Sequence, residues 1–151
     1  MDLDAVGDFA QDLADRAVAV VRDLDPGPIQ RKKDGTLVTE VDLAINSMVI
    51  EQVTQHWPEH GVLGEEESFQ LGTDWLWVCD PLDGTFPFRV GIQAANFSLA
   101  LCYRGAPQVA VIADPFANQR WFARTGRGCQ YNGVPASVSD ATSLATAGID
   151  L

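Results

Sequence analysis

The strongest constraint in this chain is a junction, where the apolar run Trp77-Val78-Cys79 passes directly into Asp80-Pro81-Leu82-Asp83-Gly84-Thr85. A strand that ends in Asp leaves an anionic oxygen at the rim of its sheet. Pro81 fixes its own φ at about −65° and biases Asp80 towards extended geometry, which stiffens the turn. Asp83 is then expected to face the space that Asp80 faces, and two carboxylates converging on one point call for a cation. Their hard oxygens suit Mg²⁺, with Mn²⁺ as the alternative, better than zinc. Gly84 lets backbone N–H groups approach an anion, and Thr85 adds a hydroxyl. Metal and amide-lined turn together describe a phosphate site. Pro-Leu-Asp-Gly alone would pass for a surface turn, but a plain turn needs neither Asp80 nor Thr85.

The 151 residues suit one domain with a real core, and 46% hydrophobic with 21% charged residues is globular composition. No apolar run reaches the ~20 residues of a membrane span. The start Met1-Asp2-Leu3-Asp4 lacks the basic-then-apolar pattern of a signal peptide. Cys79, Cys102 and Cys129 form no CxxC and read as reduced, packed thiols of a cytoplasmic protein. A net charge of −11 argues against nucleic-acid backbones and membranes as partners. Acidity by itself says little about metal. The positions of the acids matter.

Residues 3–24 carry Leu3, Val6, Phe9, Ala10, Leu13, Ala17, Val20, Val21 and Leu24 at helical spacing, with Pro26-Gly27-Pro28 as the stop. A second helix is expected from Glu40 to Trp57, burying Val41, Ile45, Met48, Val49 and Val53. Beyond it the period becomes two. Strands are expected near Leu37, at Val62-Leu63, over 75–79, 97–103, 108–113 and 119–124, the later ones as an antiparallel meander. The fold class is therefore α+β, with two N-terminal helices packed on a mainly antiparallel sheet. His56 and His60 flank Trp57-Pro58 with no nucleophile beside them, and both are expected at the surface.

Two further segments bear on chemistry. Glu65-Glu66-Glu67 follows the apolar strand end Val62-Leu63-Gly64, and charge pattern alone makes it a solvated loop. Lys33-Asp34-Gly35-Thr36-Leu37-Val38-Thr39-Glu40-Val41-Asp42 places Thr39 three residues before Asp42, close to a capping box. In order and spacing these segments, with the Trp77–Thr85 run, resemble the signatures of the inositol monophosphatase family. Gly126-Arg127-Gly128-Cys129-Gln130-Tyr131-Asn132-Gly133 matches a turn region of the same family and reads as structural. Pro87 stands where the family has Asn, which bears on loop shape and substrate choice. Haloacid-dehalogenase phosphatases are excluded by Lys32 before Asp34-Gly35-Thr36 and by the extra residue between Asp80 and Asp83.

The resemblance implies a Mg²⁺-dependent phosphomonoesterase acting on a small phosphorylated metabolite by two-metal water attack. Glu65, Asp80, Asp83 and the Leu82 carbonyl would hold metal, with Glu66 in support and Glu67 facing water. Glu65, Asp83, Gly84 and Thr85 would meet the substrate phosphate, and Asp42 with Thr85 would activate water. Cys79 replaces a family Ile and is expected in the core. Residues 1–151 correspond to the first half of the family fold. The C-terminal α/β domain is missing as a partner, and its docking face is expected to be apolar and to promote a homodimer. The alternative is a non-catalytic domain that binds metal and phosphate, or a partner chain.

Overall fold

The computed structural model describes residues 1–25, 27, 30–31, 37–143 and 145–148. Pro26 and Pro28 of the expected helix stop, and residues 33–36 of the Lys33–Asp42 motif, lie outside the described residues. Helix α1 (Leu3–Asp23) starts where the Asp2 carboxylate accepts the Asp4 and Ala5 N–H groups, an N-cap. It buries Val6, Ala10, Leu13, Ala14, Ala17 and Val21. Leu24, placed on that stripe by periodicity, is instead the cap residue and is exposed.

Helix α2 (Glu40–His56) opens on a capping box, the Asp42 carboxylate accepting the Thr39 N–H at 2.8 Å. Val41, Ile45, Val49 and Val53 form its buried stripe, with Met48 half-buried. Two polar residues one turn apart, Asp42 and Asn46, are buried in the same stripe.

Strands β1 (Gln30–Arg31) and β2 (Leu37–Val38) make a small antiparallel pair. The main sheet holds β3 (Gly61–Gly64), β4 (Trp75–Asp83), β5 (Asn96–Tyr103), β6 (Ala106–Asp114), β7 (Gln119–Arg124), β8 (Gly128–Tyr131) and β9 (Val134–Ala136) in chain order. β3 runs parallel to β4, and each later neighbour is antiparallel. A short helix α3 (Thr85–Arg89) joins β4 to β5. The 126–133 region is more than a turn. It supplies β8 and leads into β9 through Asn132 and Gly133, both at positive φ, as a tight hairpin requires.

Trp77, Cys79, Phe97, Leu99, Leu101, Val109, Val111 and Ala113 alternate along β4 to β6 and are buried in one core with the stripes of α1 and α2. The other sheet face carries no layer among the described residues. Leu63, Val78, Ile112 and Trp121 stand exposed on it.

His60 corrects the sequence reading, since only 4% of it is exposed. The Trp77 indole N–H donates to His60 Nδ1 at 3.1 Å, and the rings of Trp57 and Trp75 stack against it at 5.3 and 5.8 Å. A lone His between turn residues carries no periodic signal that could have announced this. Burial lowers its pKa below 6.5, partly opposed by Glu59. A lowered folded pKa gives stability that is complete above about pH 6.5 and is lost as pH falls through the folded value. Urea unfolding at stepped pH is therefore expected to show a decline below about 6.5 that is flattened in His60→Asn, which keeps an acceptor for Trp77 but does not titrate.

Candidate metal and phosphate site

Strand β4 runs through Pro81 and Leu82 to Asp83, and the register explains how. Asp80 pairs with Ser98 and Asp83 with Asn96, so β4 takes three steps where β5 takes two. An unbroken strand would turn Asp83 to the face opposite Asp80, because side chains alternate. The extra residue is a β-bulge that returns Asp83 to Asp80's side. Pro81, which has no N–H for the ladder, suits that place.

The parallel pairing of β3 with β4 sets Gly64 beside Cys79, and the Glu65 N–H donates to the Cys79 carbonyl at 3.2 Å. Glu65 is thereby brought beside Asp80. Glu66 is half-buried and Glu67 exposed. Burial first, then the charges of Glu65 and Asp83, push the Asp80 carboxyl up to about 6. The Asp80 and Glu65 side chains meet within hydrogen-bonding reach. Cys79 is no nucleophile, because burial first, then the charges of Asp80 and Glu65, push its pKa far up.

Among the described residues, no three carboxylate, imidazole or thiol groups converge closely enough to form a ready-made metal cage. Asp83 acts on Asp80 through charge, and the Leu82 carbonyl accepts the Thr85 hydroxyl at 3.0 Å. Like charges without a counter-ion hold apart. The donors nevertheless fit a hard cation. Asp80 Oδ1 is buried with no hydrogen-bond partner among the described residues, beside the charges of Glu65 and Asp83.

Asp42, in the first turn of α2, is 1% exposed. Its Oδ2 accepts the Thr39 N–H and, at 2.5 Å, the Thr39 hydroxyl, while its Oδ1 accepts the Thr85 hydroxyl at 3.1 Å. Thr85 is placed there by Gly84, whose φ of +95° only glycine adopts readily and whose added Cβ would lie 2.5 Å from the Ala94 carbonyl oxygen. Pro87 enters the first turn of α3, where its missing N–H does no harm. A cleft of about 520 Å³ lies elsewhere, between α1 and the β6–β7 turn. Its Asp15 and Arg120 pair with each other, and Asp114 caps the turn through the Phe116 and Ala117 N–H groups.

One buried residue here escaped the sequence reading. Asn46 lies one helical turn after Asp42 and touches the acidic loop. A polar pair spaced i,i+4 within an apolar stripe was the available signal.

Helices over one face of a mainly antiparallel sheet, with acids at the end of β4, define the α+β domain of a known family. The chain belongs to the inositol monophosphatase family, whose model matches residues 2–149. It is 37% identical over 125 residues to the Nus factor SuhB of Pseudomonas aeruginosa, covering 80% of this chain and 46% of that one. Inositol monophosphatase 1 of Solanum lycopersicum is 32% identical over 142 residues, covering 89% and 52%. The structure of an inositol monophosphatase from Anabaena superposes with a TM-score of 0.78 at 33% identity, covering 93% of this chain and 52% of that one. The chain thus spans about half the length of the curated relatives it matches.

Mg²⁺ titrated at pH 7 is expected to raise the melting temperature by mass action. Asp83→Asn should remove most of the gain while leaving the apo protein folded. The gain should shrink as pH falls through about 6, where protons retake Asp80. An Mg²⁺ response that is flat across that range would contradict the assignment.

Proposed function

We propose that this chain is the metal- and phosphate-binding domain, residues 1–151, of a cytoplasmic Mg²⁺-dependent phosphomonoesterase that hydrolyses a small phosphate ester. The observation that carries the reading is the buried Asp42 accepting the hydroxyl of Thr85, two residues after Asp83, whose charge together with that of Glu65 bears on Asp80. Glu65, Asp80, Asp83 and the Leu82 carbonyl would hold Mg²⁺ or Mn²⁺, which when bound supplies positive charge to the phosphoryl group and lowers the pKa of water.

The remaining steps belong to side chains and amides of this chain. Gly84 and Thr85 direct backbone N–H groups at the phosphate. Thr85 has one hydroxyl proton and two acceptors, Asp42 Oδ1 and the Leu82 carbonyl. With the proton turned to Asp42, the Thr85 oxygen is left to accept a proton from the attacking water, and Asp42 receives the displaced one. Three hydrogen bonds hold Asp42 still for that task. The uncovered sheet face with Leu63, Val78, Ile112 and Trp121 is the surface on which an α/β second half would pack. Left bare, such a face favours self-association.

A second reading, partner binding without turnover, draws support from the Pseudomonas relative, which carries the name of a Nus factor rather than of a phosphatase. Two measurements separate the readings. Asp42→Asn keeps an acceptor for Thr39 and turns an amide towards Thr85, so it should fold with near-normal stability. Asp42→Ala loses the cap and about 1 kcal/mol. When the chain is joined to a family second domain, Asn at this position should abolish turnover of phosphate esters, and full activity would leave only the capping role. Residues 1–151 alone should be nearly inactive, since losing one charge-stabilising element typically costs ~2.7–4 kcal/mol of barrier. Addition of that second domain should restore hydrolysis. Robust Mg²⁺-dependent hydrolysis by the isolated monomer would contradict this account, and silence of the joined protein would favour the binding reading.

A further inference from the structure

We infer that Asn46 is a positioning residue that locks the acidic loop onto the helix carrying Asp42. This inference rests on the metal-site reading above. Asn46 is 1% exposed on α2, one turn beyond Asp42. Its amide Nδ2 donates to the Glu67 carbonyl at 3.0 Å, and its Oδ1 accepts the Glu66 N–H at 3.4 Å. Both ends of the amide are spent on the backbone of the segment that follows Glu65. From the other side, the Glu65 N–H is held by the Cys79 carbonyl.

The arrangement needs a glycine. A Cβ on Gly64 would lie 2.1 Å from Asn46 Oδ1 and 2.4 Å from the Glu67 carbonyl oxygen. Gly64 therefore gives Asn46 the room to reach the loop. Glu65 is the residue between Gly64 and the first clamped N–H, so its backbone is held by contacts on both flanks. Two consequences follow. The loop that brings Glu65 to Asp80 is set by α2 as well as by β4. Asp42 and the Glu65 loop are also tied to one rigid helix, so the two halves of the site keep a constant separation. Residues that orient a metal's ligands typically govern affinity by 10–100-fold, although they touch no metal.

The test uses the whole chain with Mg²⁺ alone as probe, read by calorimetry, and amide hydrogen exchange in metal-free buffer. Asn46→Ala should keep the fold, weaken Mg²⁺ binding about 10–100-fold and release exchange protection at the Glu66 N–H. Val49→Ala, a pure core truncation further along the same stripe, should lower the melting temperature while leaving Mg²⁺ affinity within about twofold. Gly64→Ala reaches the same clamp from β3, and it decides the matter if Asn46→Ala does not fold. Retained protection at Glu66 in the folded variant, or equal loss of affinity in Val49→Ala, would overturn the inference. If the parent chain binds no Mg²⁺ at all, the metal reading falls, and the exchange data alone still decide whether the clamp exists.

Discussion

A buried acid organises this domain. Asp42 sits in the first turn of α2 with almost no exposure, and burial of such a group is tolerable only when its oxygens are satisfied. Three donors do so: the Thr39 N–H, the Thr39 hydroxyl and the Thr85 hydroxyl. The first two fix how the chain enters α2, and the helix N-terminus favours a negative group there. The third ties α2 to the start of α3, which follows the β4 bulge. One side chain thereby couples a helix start, a strand end and the turn that would face a phosphate.

The neighbouring acids are arranged against stability. Burial and the charges of Glu65 and Asp83 all oppose ionisation of Asp80. Packed side chains alone would not draw these groups together. The backbone does it, through the parallel β3–β4 pairing, the Asp80–Asp83 bulge and the Asn46 amide. Backbone geometry that forces like charges together makes a site whose deficit a cation can fill. The core lies to one side: α1 and α2 cover one sheet face, and the opposite face, with no layer over it among the described residues, carries exposed Val78, Ile112 and Trp121.

Periodic segments were legible in the sequence, because repeating burial leaves a repeating pattern. Both helices and the strands of the meander follow this rule, as does the cap at Thr39 and Asp42. His60 and Asn46 were not legible. Each is a single polar residue whose burial depends on partners distant in the chain, Trp77 and Trp75 for one and the Glu66–Glu67 backbone for the other. The β8–β9 hairpin was read only as a turn because its strands are short, and four and three residues carry little alternation.

By itself the sequence determined the α+β class, the two long helices, the strands of the meander, and Asp80 and Asp83 as candidates for chemistry, because local spacing and turn chemistry suffice for that. Asp42 and Glu65 read locally as a helix cap and a solvated loop, and only the family resemblance marked them for chemistry. That Asp80 and Asp83 share a face was expected from Pro81, but only the tertiary structure showed the means, a bulge defined by register against β5. It alone decided that Thr85 meets Asp42 across 43 residues and that Asn46 holds the Glu65 loop. Side chains acquire such partners only when helix, strand and loop are packed in three dimensions, and no local pattern records that packing.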